Sequence, residues 1–374
     1  MSDPQHDADA RYLREALDLA RKGDGQTSPN PLVGAVLVRD GRVVGRGFHT
    51  WAGVKHAEIL ALEEAGAQAR GATLYINLEP CCHQGRTGPC SAALIEAGVA
   101  RVVAALDDPN PLVAGDGMRQ LRAAGVHAEI AATFSAEAAK LNEPFVHFMR
   151  TRLPLVTLKT ALTLDGKIAA PDDNRGWITS DKARAHVQQR RHDSDAILTG
   201  IGTVLADDCL LTDRTGLPRS RPLLRIVLDS RLRLPLDSQM VRSAAGDVLV
   251  VGTSAAPPER RKTLESHGVQ VLILDGRNGR SDLRATIEAV AQQQYLSVLI
   301  EAGAKVNWAA LETGVADKVY FYYAPKILGG SESLSMAGGV GRRRRADAIR
   351  VNRTELHRIA PDEFAVEGYI VKEG

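Results

Sequence analysis

Short apolar runs of strand length alternate with helix-patterned segments along almost the whole chain, and no other feature restricts the possible folds as strongly. In the first part, "RYLREALDLARKG" puts Leu13, Leu17 and Ala20 on one helical face and stops at Gly23. "LVGAVLVRDGRVVGRG" reads as two strands about an Asp40–Gly41 turn. "HAEILALEEAG" is a helix ended by Gly66, "ATLYINL" a buried strand, "CSAALIEAG" a helix closed by Gly98, and "RVVAAL" a strand. "GMRQLRAAG" and "VHAEIA" add a further helix and strand. Each such strand must bury its faces under the neighbouring helices, so the expected fold is a three-layer α/β domain.

The same grammar restarts near Leu153, after the linker-like "RTRLP". "PLVTLKTAL", "AILTG", "LLRIVLD", "VLVVG", "VQVLILD", "YLSVLIEAG" and "KVYFYYAP" are strands, while "SDKARAHVQQRRHD" and "LRATIEAVAQQQ" are helices, the first with Ser180 as N-cap. Two α/β domains are expected, 1–150 and 151–374. A chain of 374 residues buries such cores without staples, and four cysteines make no disulfide framework. Net charge is only +2, unlike a dedicated nucleic-acid binder. "MSDPQHDADA" lacks the features of a signal peptide, and no apolar stretch has transmembrane length. The expectation is a cytoplasmic protein that engages neither nucleic acid nor membrane. The charge run "GRRRRAD" at 341–347 reads as a solvated face.

Chemistry enters at "HAE" and "EPCCHQGRTGPC". His56, Cys81 and Cys90 form a soft donor set of one imidazole and two thiolates, which suits tetrahedral zinc with its fourth position open to water. Zinc lowers the pKa of such a water, and a carboxylate nearby that does not ligate can move its proton. Glu58, two residues after His56, fits that role; as a ligand it would fill the open position. Cys82 is the alternative to Cys81, but adjacent side chains point differently, and Cys81 follows the Glu-Pro pair. A lone His, Cys or Glu in such places is most often structural. The order H-x-E, P-C, P-C is far more specific, being that of the zinc nucleobase deaminases.

Eight residues separate Cys81 from Cys90, where the commoner deaminase pattern has two. With "SPNPLVGAVLV", "LEPCCHQGRTGPC", "ARVVAALDDPNPLVAGDG" and "LNEPF", this longer loop resembles the bifunctional deaminase–reductase family of riboflavin biosynthesis. The resemblance implies a cytidine-deaminase-like first domain. Its substrate would be a diaminopyrimidinone carrying a ribosylamino 5′-phosphate, attacked at the ring carbon bearing the 2-amino group, with ammonia leaving. It also implies that Asn30, His49 and His83 hold this substrate. Cys82 stands where the family has Ser.

In the second half, "GIGTVL" has Gly200 and Gly202, but Leu205 occupies the third place of a Rossmann fingerprint, so that motif alone is weak. "LKTALTLDGKIA", "WITS", "AILTGIGTVLADD", "LTDR", "LLRIVLDS", "IEAGAKVN" and "APKILGG" are similar to the reductase half of the same family. The resemblance implies a dihydrofolate-reductase-like fold that takes NADPH without that fingerprint. It places Trp177, Thr203, Asp207, Ser230 and the turn Gly303, Ala304, Lys305, Val306 and Asn307 at the cofactor. Lys159, Arg191, Leu211, Arg214 and Glu301 would surround the sugar phosphate, and hydride would pass to C1 of the opened ribose. Arg175 and "GAKVN" depart from the family pattern, no residue cluster reads as a 2′-phosphate clamp, and the role of Asp165 stays open. The family also implies a homo-oligomer, a dimer being favoured. Competing readings are a deaminase of tRNA or DNA bases with an accessory second domain, and a deaminase whose second domain only supports or dimerises.

Overall fold

The computed structural model describes residues 4–51, 55–82, 88–111, 113–172 and 176–372. Two compact units make up the chain: Met1–Arg152 with Pro218–Arg221, and Leu153–Leu217 with Pro222–Gly374.

The first unit contains α1 (Pro4–Arg21), β1 (Gly34–Arg39), β2 (Arg42–Phe48), α2 (Ala57–Ala65), β3 (Thr73–Ile76), α3 (Cys90–Glu96), β4 (Arg101–Ala104), α4 (Asp116–Ala123), β5 (His127–Ile130), α5 (Ser135–Leu141) and α6 (Glu143–Thr151). The sheet order is β2-β1-β3-β4-β5, antiparallel as far as β3 and parallel from β3 to β5. Alternation along the strands splits the core in two. Leu37, Leu74, Ile76 and Val102 face Ala57, Ala61, Leu94, Met118 and Leu121 of α2, α3 and α4. Val36, Tyr75 and Val103 face Leu13, Leu17 and Ala138 of α1 and α5. The three layers follow from period-two strands meeting period-3.6 helices.

Two glycines set the depth of α2. A Cβ on Gly45 would lie 2.1 Å from the Ala61 carbonyl oxygen, and one on Gly47 would lie 2.1 Å from that of Ala57. Backbone therefore packs directly on backbone, and the start of α2 is pressed against the sheet.

The second unit contains β6 (Leu155–Thr163), β7 (Lys167–Ala169), α7 (Asp181–His192), β8 (Ala196–Gly200), α8 (Ile201–Asp207), β9 (Leu224–Leu228), α9 (Gln239–Arg242), β10 (Val248–Gly252), α10 (Pro258–Ser266), β11 (Gln270–Ile273), α11 (Leu283–Gln292), β12 (Ser297–Ile300), α12 (Ala304–Glu312), β13 (Lys318–Ala324), β14 (Leu334–Ser335), β15 (Val351–Ala360) and β16 (Glu363–Ile370). Ser180 caps α7, its hydroxyl accepting from the Ala183 N–H. Strands lie in the order β11-β10-β9-β8-β12-β6-β13-β16-β15. The seven strands from β11 to β13 are parallel, and β16 and β15 add an antiparallel hairpin. Buried strands such as "VLVVG" read as unbroken apolar runs because helices cover both faces. The chain steps from β6 over to β8, runs outward to β11, and returns to insert β12 between β8 and β6. Such a reversal opens a crevice at the carboxyl ends of the strands, where ligands of open α/β sheets bind.

Among the described residues, no helix is long and apolar enough to cross a membrane. Arg342–Arg345 are exposed; Arg342 lies 5.7 Å over the Trp308 ring and Arg344 pairs with Asp347.

Candidate active sites

In the first unit, His56 is the extended residue that precedes α2, and Cys90 is the first residue of α3. His56 Nδ1 lies 3.2 Å from Cys90 Sγ and 3.5 Å from Cys81 Sγ, and the Cys90 N–H donates to Cys81 Sγ at 3.4 Å. The three donor atoms lie within 4.8 Å of one another, and Cys82 is not among them.

The chemistry of this donor set fits zinc. Hydrogen bonds from Cys90 and His56 push the Cys81 thiol well down, whereas Cys90, donating to that thiolate, is pushed far up. Two sulfurs this close ionise together only with a cation between them. Zinc bonds of about 2.3 Å to sulfur and about 2.0 Å to nitrogen span separations of this order. A second donor group, Glu355, His357 and Glu367, lies in the other unit, but Lys318 Nζ already sits 2.5 Å from Glu367.

Glu58 lies in the first turn of α2 and is 3% exposed. Burial pushes its carboxyl up to about 7, and the Cys81 charge adds to the rise. His49 stands beside His56, the two rings 5.4 Å apart. His49 Nδ1 lies 3.0 Å from the Lys55 carbonyl, which can only accept, so Nδ1 carries the proton. His49 Nε2 then accepts from Asn30 Nδ2 at 3.0 Å, and burial keeps the ring neutral by lowering its pKa. This leaves the Asn30 carbonyl oxygen as the end of the amide available to a ligand. His83 lies outside the described residues.

One acidic residue of this site goes unseen in the sequence reading. Glu79 is buried, and its two oxygens accept from the N–H groups of Asp108, Gly115 and Met118 at 2.9–3.0 Å. It ties the approach to α4 and its first turn to the Pro80–Cys81 segment beyond β3. Its only sequence signal is an acid directly before the Pro-Cys pair.

In the second unit the charges converge at the crevice. Glu301 directly follows β12, Lys159 is central in β6, and Arg191 is in the last turn of α7. Glu301 accepts from Arg191 Nε at 2.8 Å and Nη2 at 3.0 Å, and from Lys159 Nζ at 3.3 Å. Burial alone would raise its pKa; Lys159 and then Arg191 instead hold it at about 2. Two cations against one carboxylate leave a net positive charge in a pocket where each side chain is 11% exposed, a setting suited to an anion.

The other expected residues are placed as follows. Gly303 caps α12, and a Cβ on it would lie 3.8 Å from Thr203 Oγ1, so the starts of α8 and α12 adjoin. Ala304 is buried and Lys305 exposed, while Val306 packs on Gly200. Asn307 is fully buried and donates to the Met336 carbonyl at 2.8 Å, so its amide turns into the protein. The Ser230 hydroxyl accepts from the Ser281 N–H at 3.0 Å, Asp207 ends α8, and Trp177 is 67% exposed under the Arg184 guanidinium. Leu211 is buried with φ +51°, and Arg214 is exposed, its N–H donating to Gln188 Oε1 at 2.9 Å. Asp165, whose role the sequence leaves open, accepts from Thr163 Oγ1 and from the Leu328 and Gly329 N–H groups, which lowers its pKa to about 2. Arg175 lies outside the described residues.

Residues 6–106 match the cytidine and deoxycytidylate deaminase zinc-binding region, and residues 154–362 match the RibD C-terminal domain. The chain is thus a two-domain enzyme in which a zinc-binding, cytidine-deaminase-like domain precedes a reductase domain. It is 42% identical to the riboflavin biosynthesis protein RibD of Actinobacillus pleuropneumoniae, covering 95% of this chain and 93% of that one. It is 40% identical to the protein of that name from Escherichia coli, with 95% and 97% covered. Among solved structures, Acinetobacter baumannii RibD superposes with a TM-score of 0.87 at 38% identity over 98% of this chain and 99% of that one. A diaminohydroxyphosphoribosylaminopyrimidine deaminase/5-amino-6-(5-phosphoribosylamino)uracil reductase from Thermotoga maritima gives 0.82 at 34% identity over 98% and 100%. The chain belongs to the RibD family, the bifunctional zinc-binding deaminases and NADPH-dependent reductases of riboflavin biosynthesis.

Proposed function

We propose that residues 1–150 deaminate 2,5-diamino-6-ribosylamino-4(3H)-pyrimidinone 5′-phosphate and that residues 151–374 reduce the ribosyl group of the product to ribityl. The observation that carries this reading is the buried Glu58 carboxyl beside the convergent His56, Cys81 and Cys90 donors. These three residues would hold zinc, which when bound supplies a water that ionises near neutral pH. Glu58, with its carboxyl near neutrality, takes a proton from the attacking water and delivers it to the leaving amine. The Asn30 amide, fixed by His49, orients the pyrimidine ring, and His83 belongs to the same substrate site.

In residues 151–374, the first-turn N–H groups of α12, opened by Gly303, would hold the NADPH diphosphate together with Thr203, and Trp177, Asp207 and Ser230 would bind the rest of the cofactor. Lys159, Arg191 and Arg214 receive the sugar phosphate, Glu301 holds the first two in place, and Leu211 lines the site. The cofactor supplies the hydride; the protein positions C1 of the opened ribose against it. The cell compartment is the cytoplasm, and the assembly is a homodimer, which light scattering on the purified protein tests.

The deciding experiment gives zinc-loaded protein the diaminopyrimidinone ribosyl phosphate and follows ammonia and NADPH absorbance together. Ammonia release with coupled NADPH loss is expected. Ammonia without NADPH loss overturns the reductase assignment, and neither signal overturns the substrate. Cys90→Ala removes one of three protein ligands and is expected to lose its zinc by elemental analysis. A variant that retains one zinc per chain would remove Cys90 from the ligand set.

A further inference from the structure

The segment between α8 and β9 that carries Leu211 and Arg214 has no regular secondary structure across 208–214, yet it is held residue by residue. Gln188, Arg191 and His192 lie on one face of α7 at i, i+3 and i+4. Gln188 Oε1 accepts from the Arg214 N–H at 2.9 Å. Arg191 Nη1 donates to the Thr212 carbonyl at 3.1 Å while the rest of its guanidinium engages Glu301. His192 Nδ1 lies 2.8 Å from Asp213 Oδ2; a carboxylate accepts, so Nδ1 carries the proton. Asp213 Oδ1 in turn accepts from the Thr215 N–H at 2.9 Å and the Thr215 hydroxyl at 2.8 Å. His192 is 1% exposed and the Asp213 side chain 7%.

The opposite side is closed by Arg225, 1% exposed in β9, which donates to the Leu210 carbonyl at 3.2 Å and is neutralised by Asp247. Leu211, between these anchors, holds φ +51°, a left-handed conformation that a leucine keeps only when its surroundings over-determine it. A loop of this kind has no helix or sheet ladder to set its shape. Side chains of α7 supply that shape, and the same helix reaches Glu301 through Arg191.

We propose that His192 and Gln188 are positioning residues for the reductase: they fix the 209–215 loop so that Leu211 and Arg214 meet the phosphorylated substrate. This rests on the functional reading above. Neither residue touches the reacting atoms; both act through the loop.

The test uses the full zinc-loaded chain and the deaminated product as reductase substrate. His192→Leu removes the Nδ1–H donor to Asp213 Oδ2, and His192→Asn restores an N–H near the position of Nδ1. His192→Leu is expected to raise KM for the phosphorylated substrate at least about tenfold, with kcat changed less than about threefold and NADPH affinity unchanged. His192→Asn is expected to recover most of the loss, and deamination by the same protein to stay at its wild-type rate. Gln188→Ala, at a half-buried position, is expected to raise KM in the same direction. An unchanged KM in both His192→Leu and Gln188→Ala, with wild-type turnover intact, overturns the proposal alone. So does a parallel fall of kcat, NADPH affinity and melting temperature without rescue by Asn, which would mark a structural role. A wild-type protein that oxidises no NADPH with this substrate overturns the functional reading and the proposal with it.

Discussion

Glu58→Gln is expected to lower ammonia release by about 10²–10⁴-fold, the usual contribution of a positioned proton carrier, while zinc stays bound and NADPH oxidation on deaminated substrate continues. The amide has nearly the size and hydrogen-bonding reach of the acid, so the first turn of α2 keeps its packing against β2. What it loses is the proton. Burial holds the native carboxyl at about 7, so near neutral pH it passes between its two protonation states with little free-energy penalty. An ordinary surface glutamate would be almost wholly ionised there and a poor donor to a leaving amine. Three readouts on one sample separate the explanations. Lost ammonia with full zinc and full reductase activity assigns the proton transfer to Glu58. Lost zinc would instead make Glu58 part of the metal's support, and retained deamination would mean that another group moves the proton.

The deaminase site was legible because its chemistry is local in sequence. His56 and Glu58 share one helical turn, Gly66 ends that helix, and Cys81 and Cys90 bracket a single loop. The convergence of Lys159, Arg191 and Glu301 was legible only through the resemblance. Lys159 and Glu301 are 142 residues apart, and Arg191 and Glu301 are 110 apart; they meet because β12 returns between β8 and β6. Nothing in the pattern of each strand states that order. The hairpin of β15 and β16 escaped notice because β15 is exposed along most of its length and carries no apolar alternation. The polar helix α10 leaves no apolar stripe for a similar reason: only Leu264 is buried. Bonds from a single side chain to a loop leave no periodic trace at all. That is why the contacts of Glu79, Gln188 and His192 emerge only from the fold.

Glu301→Gln is expected to cost the second unit several kilocalories of stability and to lower reductase kcat/KM by about 10²-fold or more, with deamination intact. The neutral amide can still accept a hydrogen bond, but Lys159 and Arg191 then lose the carboxylate charge that both of them face. A drop of the Glu301 pKa from 4.5 to about 2 corresponds to about 3 kcal/mol of stabilisation of the ionised form. Because the folded pKa lies below the unfolded one, that stabilisation is complete above about pH 4.5 and fades as pH falls toward about 2. The melting-temperature gap between wild type and variant should therefore be constant from pH 6 to 8 and narrow below about pH 4.5. Inorganic phosphate should raise the variant's melting temperature more than the wild type's, since an added anion replaces the missing carboxylate charge. If phosphate stabilises both proteins equally, the two cations do not form an anion site, and the substrate phosphate must be sought elsewhere on the crevice. If the gap persists unchanged at pH 3, the carboxylate contributes through its shape and hydrogen bonds, and the electrostatic account of this site fails.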